Sequence, residues 1–148
     1  MSKQTIWTPS RRKVLQGMGA SVAALSAPSI ARAQSAGTVK VGFITPATGP
    51  LALFGETDGF TVDRIREALG GRIETAAGTY DLEILVRDGQ SDPNRSAEVA
   101  ADLILNDEVH MLLPASTTDI INPAADQAEL FGVPCLPPAA PWQAIVFP

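Results

Sequence analysis

The sequence is poor in the side chains on which most protein chemistry depends: one cysteine, one histidine, one tyrosine and two tryptophans in 148 residues. A lone thiol, Cys135, excludes an intramolecular disulfide and a thiolate metal cluster. Its neighbours Val133, Pro134 and Leu136 predict a thiol buried in a strand. His110 stands alone beside an apolar run, and without HExxH or CxxC spacing no protein-built zinc site is expected. The glycines of Phe54-Gly55-Glu56-Thr57-Asp58-Gly59 lack the GxGxxG spacing of a dinucleotide fingerprint, and neither GxxxxGK[ST] nor GxSxG occurs. Carboxylates crowd at Glu56-Thr57-Asp58 and at Asp81-x-Glu83, but nothing beside them separates an acid from a base, so both read as solvated faces. These absences argue against an enzyme and imply no cofactor and no metal.

What is present begins with Ser10-Arg11-Arg12-Lys13-Val14-Leu15-Gln16, a twin-arginine export signature. An uncharged run from Val14 to Ile30 follows, and Ala31-Arg32-Ala33 supplies a small-x-small cleavage pattern, which predicts a signal peptide over residues 1–33. The run is short and rich in Gly, Ala and Ser for a membrane span. Two alternatives stand beside this reading: a retained leader serving as an anchor, and a chance Arg-Arg in a cytoplasmic protein. Under the first reading the partner during export is the twin-arginine translocase and the destination is the periplasm. The leader takes with it five basic residues and no acidic one, leaving six basic against sixteen acidic, a formal charge of −10. Such a surface repels nucleic acid and anionic lipid, so neither is an expected partner.

The remaining 115 residues, 34–148, suffice for one core. Val39–Ile44 alternates and then turns apolar, predicting a first strand that stops near Thr45, and Pro46-Ala47-Thr48-Gly49-Pro50 predicts a loop. Val62, Ile65 and Leu69 recur at helical spacing before Gly70-Gly71. Residues 72–79 read as a connecting loop with some strand character, and Tyr80–Val86 as a second strand. Asp92-Pro93 is a helix start, because Asp accepts from first-turn amides and Pro at the first helical position has no amide to waste. That helix runs to about Asn106 on a buried stripe of Val99, Ala100, Leu103 and Ile104. Val109–Leu113 predicts a third strand, a helix from Pro123 or as early as Thr118 ends near Gly132, and Val133–Leu136 predicts a fourth strand. Strand and helix alternate, so the fold class is α/β: a parallel, Rossmann-like sheet with helices on both faces.

Ligands of such sheets bind beyond the carboxyl ends of the strands. There Ser116, Thr117 and Thr118 place three hydroxyls just before a helix with unpaired amides, a set suited to a carboxylate or carbonyl group. Simple capping of the helix is the plainer alternative. Thr48, Gly49, Leu51 and Phe54 in the first loop could pack on a ligand's side, and Trp142 could form a stacking wall, although either aromatic could equally be core.

On these residues the chain resembles the first part of type I periplasmic substrate-binding proteins of the branched-chain amino acid and amide class, which serve ABC importers. The likeness spans about Val39–Phe147. It is carried by Val39–Pro46 with Thr48-Gly49-Pro50 and Phe54-Gly55, by Asp88-Gly89-Gln90-Ser91-Asp92-Pro93, and by Asn122-Pro123-Ala124 through Gly132-Val133-Pro134. The resemblance implies a partial N-terminal lobe at 34–148, a small-molecule ligand held without chemical change, and an ABC permease as partner. It assigns ligand contacts to Ser116, Thr117 and Thr118, with Ala139 and Ala140 allowing close backbone approach and Phe54 or Trp142 enclosing the ligand. Ser-Thr-Thr-Asp replaces the common Ser-Ser run, and Pro141 stands where a Ser or Thr is usual, which hints at a different or aromatic ligand. Family members continue into a hinge and a second lobe, so the resemblance implies a truncated gene, a split gene or a partial sequence. A receptor's ligand-sensing domain, an exported α/β enzyme and an inactive fragment are the competing readings.

Overall fold

Thr38–Thr45, strand β1, occupies the middle of a four-stranded sheet, and the computed structural model describes residues 35–139 around it. Two helices follow, α1 (Ala52–Gly55) and α2 (Asp58–Leu69), then β2 (Arg72–Thr75), β3 (Gly78–Asp88), α3 (Pro93–Leu105), β4 (Met111–Pro114) and α4 (Thr118–Phe131). The strand order is β2-β3-β1-β4, with β1 parallel to both β3 and β4 and β2 antiparallel to β3. Three parallel strands joined through helices give the expected α/β lobe, and β2 adds an antiparallel edge.

Alternation along β1 sorts its side chains to two helical layers. Ile44 enters a core with Val99 and Leu103 of α3, Leu112 of β4 and Ile120 of α4, all but Val99 fully buried. Phe43 turns the other way, against Val62 of α2 and Ala115. Gly42 lets α3 approach: a Cβ there would lie 2.8 Å from Leu112 Cδ2 and 3.0 Å from Leu103 Cδ1. Asp92 caps α3, accepting from the Arg95 amide at 2.8 Å, with Pro93 at the first helical position as predicted. Ser96, also fully buried, donates to the Ile120 carbonyl at 2.7 Å and ties α3 to α4.

Several sequence expectations need correction. Residues 72–79 form a hairpin with β3 instead of a connecting loop, because the Thr75 hydroxyl closes the turn, accepting from the Ala77 amide at 3.2 Å and donating to the Gly78 carbonyl at 3.0 Å. The third strand begins at Met111, since His110 Nδ1 accepts the Lys40 amide at 3.1 Å and replaces a ladder acceptor there. Val133–Leu136 shrinks to one bridge, Leu112 with Cys135, because Pro134 and Pro138, whose backbone nitrogens fall on the side of β4, have no amide to donate. Cys135 is consequently half-buried, and that burial pushes its thiol up from the ordinary value. On α2 only Val62 is buried. Ile65 and Leu69 are exposed, and Ile65 borders an open apolar groove of about 230 Å³ shared with Phe43, Ile84, Leu113 and Pro138, because no described element packs over that part of the sheet. The helix α4 starts at Thr118, the earlier of its two expected starts, and carries Pro123 internally. Among the described residues no helix is long and apolar enough to cross a membrane.

Candidate functional site

From β1 the chain crosses to β3 on one side and later to β4 on the other, so the carboxyl ends of β1 and β4 flank a topological switch point, where open α/β sheets bind ligands. A polar cluster occupies it. Thr45 ends β1 and is buried, and its hydroxyl donates to Asp58 Oδ2 at 2.6 Å. Ser116, after β4, donates to the same oxygen at 2.9 Å. Asp58 is the first residue of α2, where an acidic side chain also suits the positive end of the helix. Ser116 has φ 78°, an uncommon left-handed conformation that aims its hydroxyl back across the sheet tip.

A second network fixes the neighbouring loop. Asp88, ending β3, accepts from the Thr48 hydroxyl at 2.6 Å, the Thr48 amide at 3.2 Å and the Gln90 amide at 2.8 Å. Ser91 donates to the Thr48 carbonyl at 2.7 Å and accepts from the Leu51 amide at 3.1 Å. Gln90 and Ser91 both have positive φ, 55° and 56°, so the backbone bends sharply to deliver these groups. Burial works against ionisation of Asp88, but the Thr48 hydroxyl and then the amides of Gln90, Thr48 and Ala47 outweigh it and hold the carboxyl below its ordinary value. A depressed carboxyl adds stability above its unfolded pKa of about 3.9, and the contribution is lost as pH falls through the lower folded value. Melting curves of wild type and Asp88→Asn are therefore expected to differ at neutral pH and to converge as pH falls from about 4 through the lower folded value; a gap that stays constant with pH would show that this carboxyl does not hold the loop.

The structure brings only part of the sequence-derived set together. Ser116 joins the cluster. Thr117 is the N-cap residue of α4, but its side chain makes no capping bond, and its buried Oγ1 has no hydrogen-bond partner. The amides of Thr118 and Asp119 open the helix and have no intrahelical acceptor. Capping therefore does not account for this Ser-Thr-Thr run. Phe54, in α1, is 63% exposed. Ala139 is exposed at the end of the described residues, and Ala140 and Trp142 lie outside them, as does the twin-arginine leader. Two site residues escaped the sequence reading. Asp58, expected on a solvated face, is half-buried between two hydroxyl donors because α2 begins directly beneath the tip of β1. Thr45 was legible as the end of the first strand and the start of its ligand-facing loop, but with no role for its side chain. Among the described residues no group of His, Cys, Asp and Glu could hold a metal ion.

Two hydroxyls and a carboxylate thus meet at the switch point of a parallel α/β sheet. Residues 38–148 match the periplasmic binding protein family, and the chain belongs to that family. Its fold is that of a type I periplasmic-binding-protein lobe. The branched-chain amino acid transporter substrate-binding protein LivJ from Streptococcus pneumoniae, solved with isoleucine, is 27% identical, with a TM-score of 0.58 over 70% of this chain and 29% of that one. The leucine-binding protein LivK from Thermotoga maritima is 25% identical, with a TM-score of 0.60 over 69% of this chain and 28% of that one. A solute-binding protein of an ABC transporter from Rhodopseudomonas palustris, solved with 3,4-dihydroxybenzoic acid, is 29% identical, with a TM-score of 0.57 over 66% and 26%. The matched region is thus under a third of the length of each of these structures. No curated protein sequence matches the chain.

Proposed function

We propose that the chain supplies one wall of a periplasmic solute-binding protein that captures a small amino acid, amide or aromatic acid and releases it chemically unchanged to an ABC permease in the inner membrane. The Thr45–Asp58–Ser116 cluster at the switch point is the observation that carries this reading, because it gathers hydrogen-bonding groups where the fold places ligands. Membership of the family and the likeness to structures solved with isoleucine and with 3,4-dihydroxybenzoic acid support it. Closure of a second lobe over the solute is the state the permease reads. The leader ending at Ala33 carries the chain out through the twin-arginine translocase, which a double Arg11→Lys, Arg12→Lys change is expected to block, leaving uncleaved precursor in the cytoplasm.

Small-molecule sites enclose most of their ligand, so a single wall binds weakly, with a Kd on the order of 1 mM. The suitable test is an amide-resolved NMR titration of the purified chain with isoleucine and with 3,4-dihydroxybenzoate. Shifts are expected at Thr45, Ser116, Thr117, Thr118 and Asp119, with the solute recovered intact. Shifts located elsewhere, or a solute consumed during the titration, would defeat the reading.

A further inference from the structure

We infer that Asp58 sets the polarity of the binding site: by taking the protons of Thr45 and Ser116, it makes the tip of the sheet an acceptor surface that receives the donor end of a solute, an ammonium, amide N–H or hydroxyl group, and turns a carboxylate away. The inference rests on the solute-binding reading above and specifies which end of the solute this wall takes.

A hydroxyl has one proton and two lone pairs. Thr45 and Ser116 both spend that proton on the same carboxylate oxygen, at 2.6 Å and 2.9 Å. What Ser116, the less buried of the two, has left to offer a solute is a lone pair. Asp58 Oδ1 accepts no hydrogen bond from any described residue, and none of the ion pairs among the described residues includes Asp58. An unpaired carboxylate with a free oxygen attracts a cation or donor and repels a second carboxylate within a few ångströms. This departs from the expectation drawn from the sequence, that the hydroxyls of Ser116, Thr117 and Thr118 with the helix amides suit a carboxylate or carbonyl group. A Cβ on Gly55 would stand 2.7 Å from Thr45 Oγ1, so the glycine lets α1 pack close beside the hydroxyl that donates to Asp58. The acceptors of a solute fall instead to the unpaired amides of Thr118 and Asp119. The wall thus has two poles, and it selects a molecule that carries both a donor and an acceptor.

The test uses matched probes that differ only at the donor end, in the same NMR titration: isoleucine against 3-methylpentanoate, and 3,4-dihydroxybenzoate against 3,4-dimethoxybenzoate. The wild-type chain is expected to favour the donor-bearing member of each pair by about tenfold, the worth of one charge-assisted hydrogen bond. In Asp58→Asn that ratio is expected to fall to about threefold or less, with 3-methylpentanoate binding more tightly than to wild type because the repelling charge is gone. Ser116→Ala leaves the Thr45–Asp58 bond in place and is expected to lower the ratio as well, which provides the test if Asp58→Asn melts early. A folded Asp58→Asn chain that binds with the wild-type ratio overturns the polarity assignment and leaves the solute-binding reading standing. A wild-type chain that shifts at no residue of the sheet tip with any probe defeats both.

Discussion

Leu103→Ala is expected to lower stability by about 2–5 kcal/mol, the range for emptying a large buried aliphatic site. Leu103 is fully buried where α3 meets the sheet, packed with Ile44 and Leu112 and close against the backbone of Gly42. The cavity left by the missing carbons would lie between a helix and the central strand. Neither can collapse into it, because β1 is held on both sides by parallel ladders to β3 and β4. Small domains have only about 5–15 kcal/mol in all, so the variant should melt on the order of 10–20 °C below wild type. Urea unfolding followed by circular dichroism measures the difference. A loss under about 1 kcal/mol would mean that α3 is not anchored at this point and that the two-layer packing is wrong.

The second large effect is expected in the loop after β1. Gly49 has φ 91°, and a Cβ there would stand 2.5 Å from the Gln90 carbonyl oxygen and 2.9 Å from Ser91 Cβ. The carbonyl is backbone, so it cannot rotate away as a side chain would. Gly49→Ala therefore combines a left-handed residue with a steric clash, and about 2–4 kcal/mol is the expected loss. Gly70→Ala provides the control, because Gly70 also has positive φ, 58°, but faces open space. It should cost only the conformational part, about 1–2 kcal/mol. Equal losses in the two variants would show that Gly49 is required only for its φ and that the 46–51 loop is not packed on Gln90 and Ser91. With the loop displaced, Asp88 loses both of its bonds from Thr48, so the Gly49 variant should also show a reduced melting difference between neutral and acid pH.

Much of the fold was legible because it rests on local signals. The alternation of Val41 and Phe43 against Gly42 and Ile44, the Asp92-Pro93 cap and the glycines after α2 and α4 each act within a few residues of their own element. Reading failed where pairing partners are distant. Residues 72–75 became a strand through the Thr75 turn and the ladder to β3, and Val133–Leu136 lost most of its ladder to two prolines. The exposure of Ile65 and Leu69 has the same origin, since a helical stripe records which side chains are apolar and not whether anything covers them.

For the site, Ser116 was accessible from its position between a strand and a helix, but its partner was not. Asp58 precedes it by 58 residues, and only the order β3-β1-β4 brings the start of α2 to the tip of β4. Composition and periodicity by themselves determined an acidic, cysteine-poor α/β chain with its polar loops at the strand ends, because hydrophobic patterning and turn chemistry are properties of neighbouring residues. The direction in which the hydroxyl protons point was decided by tertiary structure alone, because a proton goes to the nearest acceptor in space, and here that acceptor, the Asp58 carboxylate, is supplied by a distant part of the chain.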